Sequence, residues 1–188
     1  MNNYENIFDI IAKKHERRPD LWDHLNRVYV RQYTEPPVQE FIECLEEDIT
    51  KDMNILEYGC SSGMNLYYLK NKGYKVSGID SSKVAIDYGN DNYQLDLVLD
   101  DYTKEKELSE TFDVVYCRAV LQHISELDIN MVLTNFHKVL RSNGLLIFSE
   151  CDEDIFSFGR VPRHRVYDTF NHDWLNLVER NKFVISER

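Results

Sequence analysis

Apolar positions along the chain follow two different periods, and the change comes near Met53. Before it, Ile7, Phe8, Ile10 and Ile11 form one stripe, and Val38, Phe41, Ile42 and Leu45 form another. Both have the spacing of helices. Pro36 and Pro37 open the second stripe, where a missing N–H costs little. Between the stripes lies LWDHLNRVYVRQYTE, rich in aromatic and charged residues. Beyond Met53, short apolar runs alternate with helical stretches. MNILEY precedes a helix from about Gly63 to Lys72, and YKVSGID precedes one from about Ser82 to Gly89. LDLVLD leads into a polar turn, FDVVYC into a long helical stretch to Leu140, and GLLIFSE follows. Gly73 and Gly144 each sit after a helix and before a strand, as C-cap glycines do, with Asn143 supporting the second turn. HDWLNLVERN and KFVISE read as a last helix and a last strand.

Strand–helix alternation of this kind predicts right-handed crossovers and a mostly parallel sheet covered on both faces. The expected fold class is α/β, a Rossmann-like three-layer αβα sandwich. The whole chain, 1–188, reads as one domain. Residues 1–50 form an N-terminal helical cap, 53–150 a ligand-binding core, and 151–188 a loop with the last helix and strand.

Bulk properties narrow the partners. Net charge is −11 over 188 residues, which disfavours DNA and anionic membrane surfaces, since both are gripped by Lys and Arg. The four cysteines, Cys44, Cys60, Cys117 and Cys151, form no C-x-x-C pair, so neither a zinc ribbon nor a thioredoxin motif is expected. The N-terminus lacks a signal-peptide pattern. No run approaches the roughly 20 apolar residues of a membrane span. A cytoplasmic protein is the expectation.

The chain has seven glycines. Two of them, Gly59 and Gly63, frame the small residues Cys60, Ser61 and Ser62 directly after the first apolar run. Gly59 permits a tight turn and close approach of backbone to a ligand. Gly63 lets the next helix pack near the strand. Asp80 ends the second apolar run, where an acid can accept both hydroxyls of a ribose.

Glu57-x-Gly59-x-Ser61-x-Gly63 resembles motif I of the class I S-adenosylmethionine-dependent methyltransferases, (D/E)-x-G-x-G-x-G, with Ser61 at the middle glycine. A dinucleotide fingerprint would set its last glycine one position further on, which disfavours an NAD-linked oxidoreductase. The resemblance extends over about Asn54 to Glu150. It implies that Glu57, Gly59, Cys60, Ser61 and Gly63 hold the amino-acid half of S-adenosylmethionine. Asp80 would bind the ribose and Ser81 would lie beside the adenine. In LVLDDYT, Asp100 and Asp101 are both candidates to accept from the adenine amino group. Asp101 is favoured, because the apolar run ends at Leu99 and bulky Tyr102 follows. Arg118, just past FDVVYC, would meet the cofactor carboxylate or form an ion pair. The family sheet ends in a hairpin that adds a seventh strand. The sequence ends at the expected sixth strand, so the expectation is either that it stops short of that hairpin or that a homodimer or another partner covers the edge.

The resemblance implies methyl transfer to an O or N atom of a small acceptor. The alternative is a non-catalytic S-adenosylmethionine-binding regulatory or scaffold protein. A base is needed only when the acceptor has a proton to lose. His123 and Glu150 are the candidates, each with a structural alternative as helix cap or loop anchor. Tyr29 and Tyr33, four apart, share a helix face and could close over the cofactor as a lid, or pack against the sheet, and Tyr33 is also assigned to the acceptor. Arg31, like Arg118, could meet the cofactor carboxylate, or simply be exposed. Residues 158–165, with Arg160, Arg163, His164 and Arg165, concentrate positive charge in an acidic chain. Arginine forks suit carboxylate and phosphate, so Arg163 and Arg165 are assigned to an acidic group on the acceptor. Their other reading is ion pairing with Asp152, Glu153 and Asp154. No metal is expected, because Arg118 stands where magnesium-dependent relatives supply an acid.

Overall fold

The computed structural model of the protein describes residues 36–109, 111–125, 127–149 and 174–184. In chain order these form α1 (Pro36–Asp48), β1 (Asn54–Tyr58), α2 (Met64–Asn71), β2 (Lys75–Asp80), α3 (Lys83–Tyr93) and β3 (Val98–Leu99). Then come β4 (Phe112–Arg118), a 3-10 turn at Leu121–His123, α4 (Ile129–Val139), β5 (Leu140–Ser149) and α5 (Trp174–Arg180). The strands make a five-stranded sheet of order β3-β2-β1-β4-β5. The pairs β1–β2, β2–β3 and β4–β5 are parallel. This is the Rossmann-like α/β arrangement that the alternating pattern predicts. The chain divides into two compact units, one ending at Asp100 and the other beginning at Asp101.

In the first unit, β1 buries Ile55, Leu56 and Tyr58, and α2 and α3 pack on β2 through Leu66, Leu69, Ala85 and Ile86. Glycines set how closely these elements meet. A Cβ on Gly78 of β2 would collide with Leu66 and lie 2.8 Å from Cys60 Sγ. One on Gly89 of α3 would collide with the Ser62 carbonyl. One on Gly63 would lie 2.6 Å from Leu95 Cδ1. Leu95 and Leu97 are themselves buried and fill the space these glycines leave.

In the second unit, α4 carries Ile129, Val132, Leu133, Phe136 and Val139 on one face, all buried, and packs on β5. Each such side chain contributes about 1.5–3 kcal/mol of burial. Its C-terminal end meets α5's exit turn, where the His137 and Phe183 rings pack edge to face, 5.6 Å apart. Asn130 Oδ1 accepts from Asn181 Nδ2 at 3.0 Å.

Four expectations need correction. LDLVLD yields only Val98–Leu99 as strand. The Asn90 side chain explains the loss. Its Oδ1 accepts the Leu97 N–H at 2.7 Å and its Nδ2 donates to the Leu97 carbonyl at 3.0 Å, so the Leu97 N–H is taken from the ladder and its carbonyl is already engaged by a side chain. The helix expected from FDVVYC to Leu140 is interrupted. Ala119 takes a left-handed φ of 53°, and α4 starts only at Ile129, after a turn in which Ser125 Oγ accepts the Asp128 N–H. Gly144 does not supply the left-handed residue before GLLIFSE. Asn143 does, at φ 64°, and Gly144 is small because a Cβ would lie 2.9 Å from the Arg141 carbonyl. The described part of KFVISE is not a strand. Lys182 is left-handed at φ 72° and Phe183 N–H returns to the Val178 carbonyl, so these residues close α5. A lysine at a position that glycine usually fills hides that cap in the sequence. Residues 1–35 of the expected cap lie outside the described residues.

Two outcomes follow from this packing. Alanine is the better helix former by about 1 kcal/mol, but at position 89 its methyl meets backbone that cannot swing aside, and overpacking costs about 1–3 kcal/mol. Gly89→Ala should therefore lower Tm by about 2–6 °C in calorimetry; a raised Tm would contradict this packing. The Cys60 thiol is buried, and burial first, then the Glu57 and Asp80 carboxylates, push its pKa well above the usual thiol value. At neutral pH it stays protonated and unreactive. Alkylation followed by mass spectrometry should label exposed Cys44 in the native protein and Cys60 only after denaturation. Equal labelling rates would overturn the assignment.

Candidate functional site

The turn after β1 is built by three left-handed residues: Gly59 at φ 73°, Ser61 at 51° and Gly63 at 77°. The N–H groups of Gly59 and Cys60 both point at the Ile79 carbonyl, at 2.9 and 3.0 Å, which folds the turn over the end of β2. Gly63 N–H then closes back on the Cys60 carbonyl at 2.8 Å, and its own carbonyl accepts the Tyr67 N–H to begin α2.

Asp80 fixes this turn. One carboxylate oxygen accepts the Ser61 N–H at 2.8 Å and the other accepts the Ser82 N–H at 2.8 Å. The left-handed state costs a serine about 1–2 kcal/mol. A hydrogen bond to a charged group is worth about 1.5–3 kcal/mol, enough to hold Ser61 there. Ser82 also caps α3 by accepting the Ala85 N–H on Oγ. Ser81, between them, is exposed. A carboxylate offers about four acceptor positions, so two backbone bonds are compatible with hydroxyl donors at the same group.

Glu57 is buried at the end of β1, and its Oε1 accepts from Asn65 Nδ2 on α2. The Cys60 thiol faces inward toward Gly78 and donates weakly to the Ser61 carbonyl. At this position, therefore, the backbone is the part available to a ligand. Three residues that build the turn went unread in the sequence: Asn65, Gly78 and Gly89. Isolated glycines inside a strand and a helix do signal close backbone approach, so that signal was present for two of them.

In the second unit, the residues after β3 form a loop. Asp101 Oδ1 accepts both the Thr103 N–H at 3.0 Å and the Thr103 hydroxyl at 2.7 Å, and Lys104 lies 3.5 Å from Oδ2. Burial works to raise the Asp101 pKa, but the Thr103 bonds and the Lys104 charge overcome it, and the group lies below the ordinary aspartate value. It is ionised at neutral pH. Tyr102 is buried with its ring 6.2 Å from that of Phe136. Arg118 ends β4 opposite Ser149, and Ala119 N–H bonds the Ser149 carbonyl at 2.7 Å. His123 is half-buried at the end of the 3-10 turn, with its Nε2 3.4 Å from the Gln122 amide. Tyr29, Arg31, Tyr33, Glu150, Arg163 and Arg165 lie outside the described residues, as does the acidic run 150–154. Among the described residues no helix is long and apolar enough to cross a membrane.

Comparison with known proteins gives the family. A family model described as a methyltransferase domain matches residues 29–184. The chain is 22% identical over 173 residues to the ubiquinone biosynthesis O-methyltransferase of Pelagibacter ubique, covering 86% of this chain and 70% of that protein. It is 27% identical over 117 residues to the protein of the same name from Rickettsia conorii, covering 60% of this chain but only 39% of the relative. The chain thus spans less than half of that relative's length. Among solved structures, a TehB-like SAM-dependent methyltransferase from Corynebacterium glutamicum shares the fold with a TM-score of 0.57 at 22% identity, covering 73% of this chain and 68% of that one. The chain belongs to the methyltransferase-domain family and has the class I, S-adenosylmethionine-dependent methyltransferase fold.

Proposed function

We propose that the protein transfers a methyl group from S-adenosylmethionine to a small acceptor, through oxygen or nitrogen. The observation that carries the reading is the Asp80 carboxylate, which clasps the left-handed turn at Ser61 and the start of α3 at Ser82. It holds a ribose-accepting acid and a close-approach backbone turn in one rigid piece. Gly59, Cys60, Ser61 and Gly63 would present backbone to the amino-acid half, Asp80 would hold the sugar, and Asp101 and Tyr102 would meet the adenine. Arg118 would pair with the carboxylate. When bound, S-adenosylmethionine supplies a methyl on a positively charged sulfur that leaves without protonation. The chain's residues then have to align the acceptor and exclude water.

The relatives' name, O-methyltransferase, favours an oxygen acceptor. A hydroxyl must lose its proton as it is methylated, and we assign that role to His123, with Glu150 as the second candidate. Arg163 and Arg165 would receive a carboxylate or phosphate on the acceptor, with Tyr33 as the third acceptor contact. We also propose a cytoplasmic location and a homodimer or another partner at the sheet edge.

Two experiments test the reading. In calorimetry, S-adenosylhomocysteine should bind the wild type and NAD should not. Asp80→Ala, shown folded by circular dichroism, should weaken S-adenosylhomocysteine by about 10- to 100-fold; an unchanged Kd would sink the reading. In a radiolabelled methyl-transfer assay over hydroxyl- and amine-bearing carboxylates and phosphates, one class should be methylated. Replacing Arg163 and Arg165 with Ala should then raise the acceptor KM far more than the cofactor Kd, whereas equal effects would remove them from the acceptor site. Binding without transfer to any acceptor would favour a non-catalytic binder.

A further inference from the structure

We infer that Asn135 of α4 is a positioning residue that sets the Asp101 carboxylate for reading the 6-amino group of adenine. The inference rests on the proposed function, and it concerns a residue outside the glycine turn and distant in sequence from it.

Asn135 is fully buried, in the face of α4 otherwise made of Ile129, Val132, Leu133, Phe136 and Val139. Its Nδ2 donates to two carbonyls of the loop after β3, Tyr102 at 2.9 Å and Lys104 at 2.7 Å. Both partners are acceptors, so the amide orientation is fixed by chemistry. The consequence is that Oδ1 faces the interior with no hydrogen-bond partner among the described residues. An orphaned buried acceptor costs about 1–3 kcal/mol. The two carbonyls flank Thr103, whose N–H and hydroxyl both bind Asp101 Oδ1. Asn135 thus holds the residue that holds Asp101.

Other contacts from α4 support the same loop. Lys138 Nζ donates to the Lys106 carbonyl at 3.0 Å, and Phe136 packs on Tyr102. The loop needs such support because β3 is only two residues long. A ladder that short gives the following backbone little register of its own. Leucine at 135 would remove the orphaned oxygen but would take the Nδ2 donor from both loop carbonyls, freeing Thr103 and with it the carboxylate.

A test of base recognition separates positioning from general support. Calorimetry on the full chain would compare S-adenosylhomocysteine with its purine analogue, which lacks only the 6-amino group. Wild type should prefer the adenine ligand by about tenfold, the value of one charge-assisted hydrogen bond. Asn135→Leu and Asn135→Ser should narrow that ratio at least threefold while binding of the purine analogue changes little. If both affinities fall together and the ratio is kept, Asn135 serves stability only and the inference is overturned. It is overturned equally if wild type shows no preference, or if neither variant folds. If wild type binds neither ligand, the proposed function fails and the inference fails with it.

Discussion

One carboxylate joins three parts of the first unit. Asp80 stands at the end of β2, and its two oxygens reach the Ser61 N–H in the turn after β1 and the Ser82 N–H at the start of α3. Without it the left-handed serine has no charged partner to offset its conformational cost. With it, strand, turn and helix start are held by short hydrogen bonds at one group. The residue proposed to bind the ribose is therefore also a structural brace in this chain. Under that proposal the sugar contact and the shape of the turn depend on the same side chain.

Close packing around that brace determines the rest of the unit. Gly63, Gly78 and Gly89 let α2, β2 and α3 approach until Leu95 and Leu97 fill the remaining space. Pulling Leu97 inward and tying its backbone to Asn90 shortens β3 to two residues. The backbone that follows must then be fixed by something else. In the second unit that support comes from α4, through Asn135, Phe136 and Lys138.

Much of this was legible in the residues. Apolar runs at MNILEY, YKVSGID and FDVVYC placed three strands because period and length agree there. Glu57, Gly59, Ser61, Gly63 and Asp80 pointed to the turn and its acid. What stayed hidden depends on side chains reaching across the fold. Asn90 reads as an ordinary polar helix residue until it is seen to bond both backbone groups of Leu97. Asn135 reads as an interruption in an apolar stripe. Lys182 and Asn143 adopt left-handed geometry that composition assigns to glycine, so the residues after α5 were read as strand and the left-handed residue before GLLIFSE was assigned to Gly144. Ser61 shows the reverse: its position matches a family glycine, and its φ of 51° explains why glycine is usual there.

Whether Asp80 binds sugar and backbone together is tested most directly by a crystal structure with S-adenosylhomocysteine. Ribose hydroxyls should donate to the Asp80 carboxylate while the Ser61 and Ser82 N–H bonds persist. A ligand seated elsewhere, or a carboxylate that must release the turn to accept the sugar, would contradict that dual role.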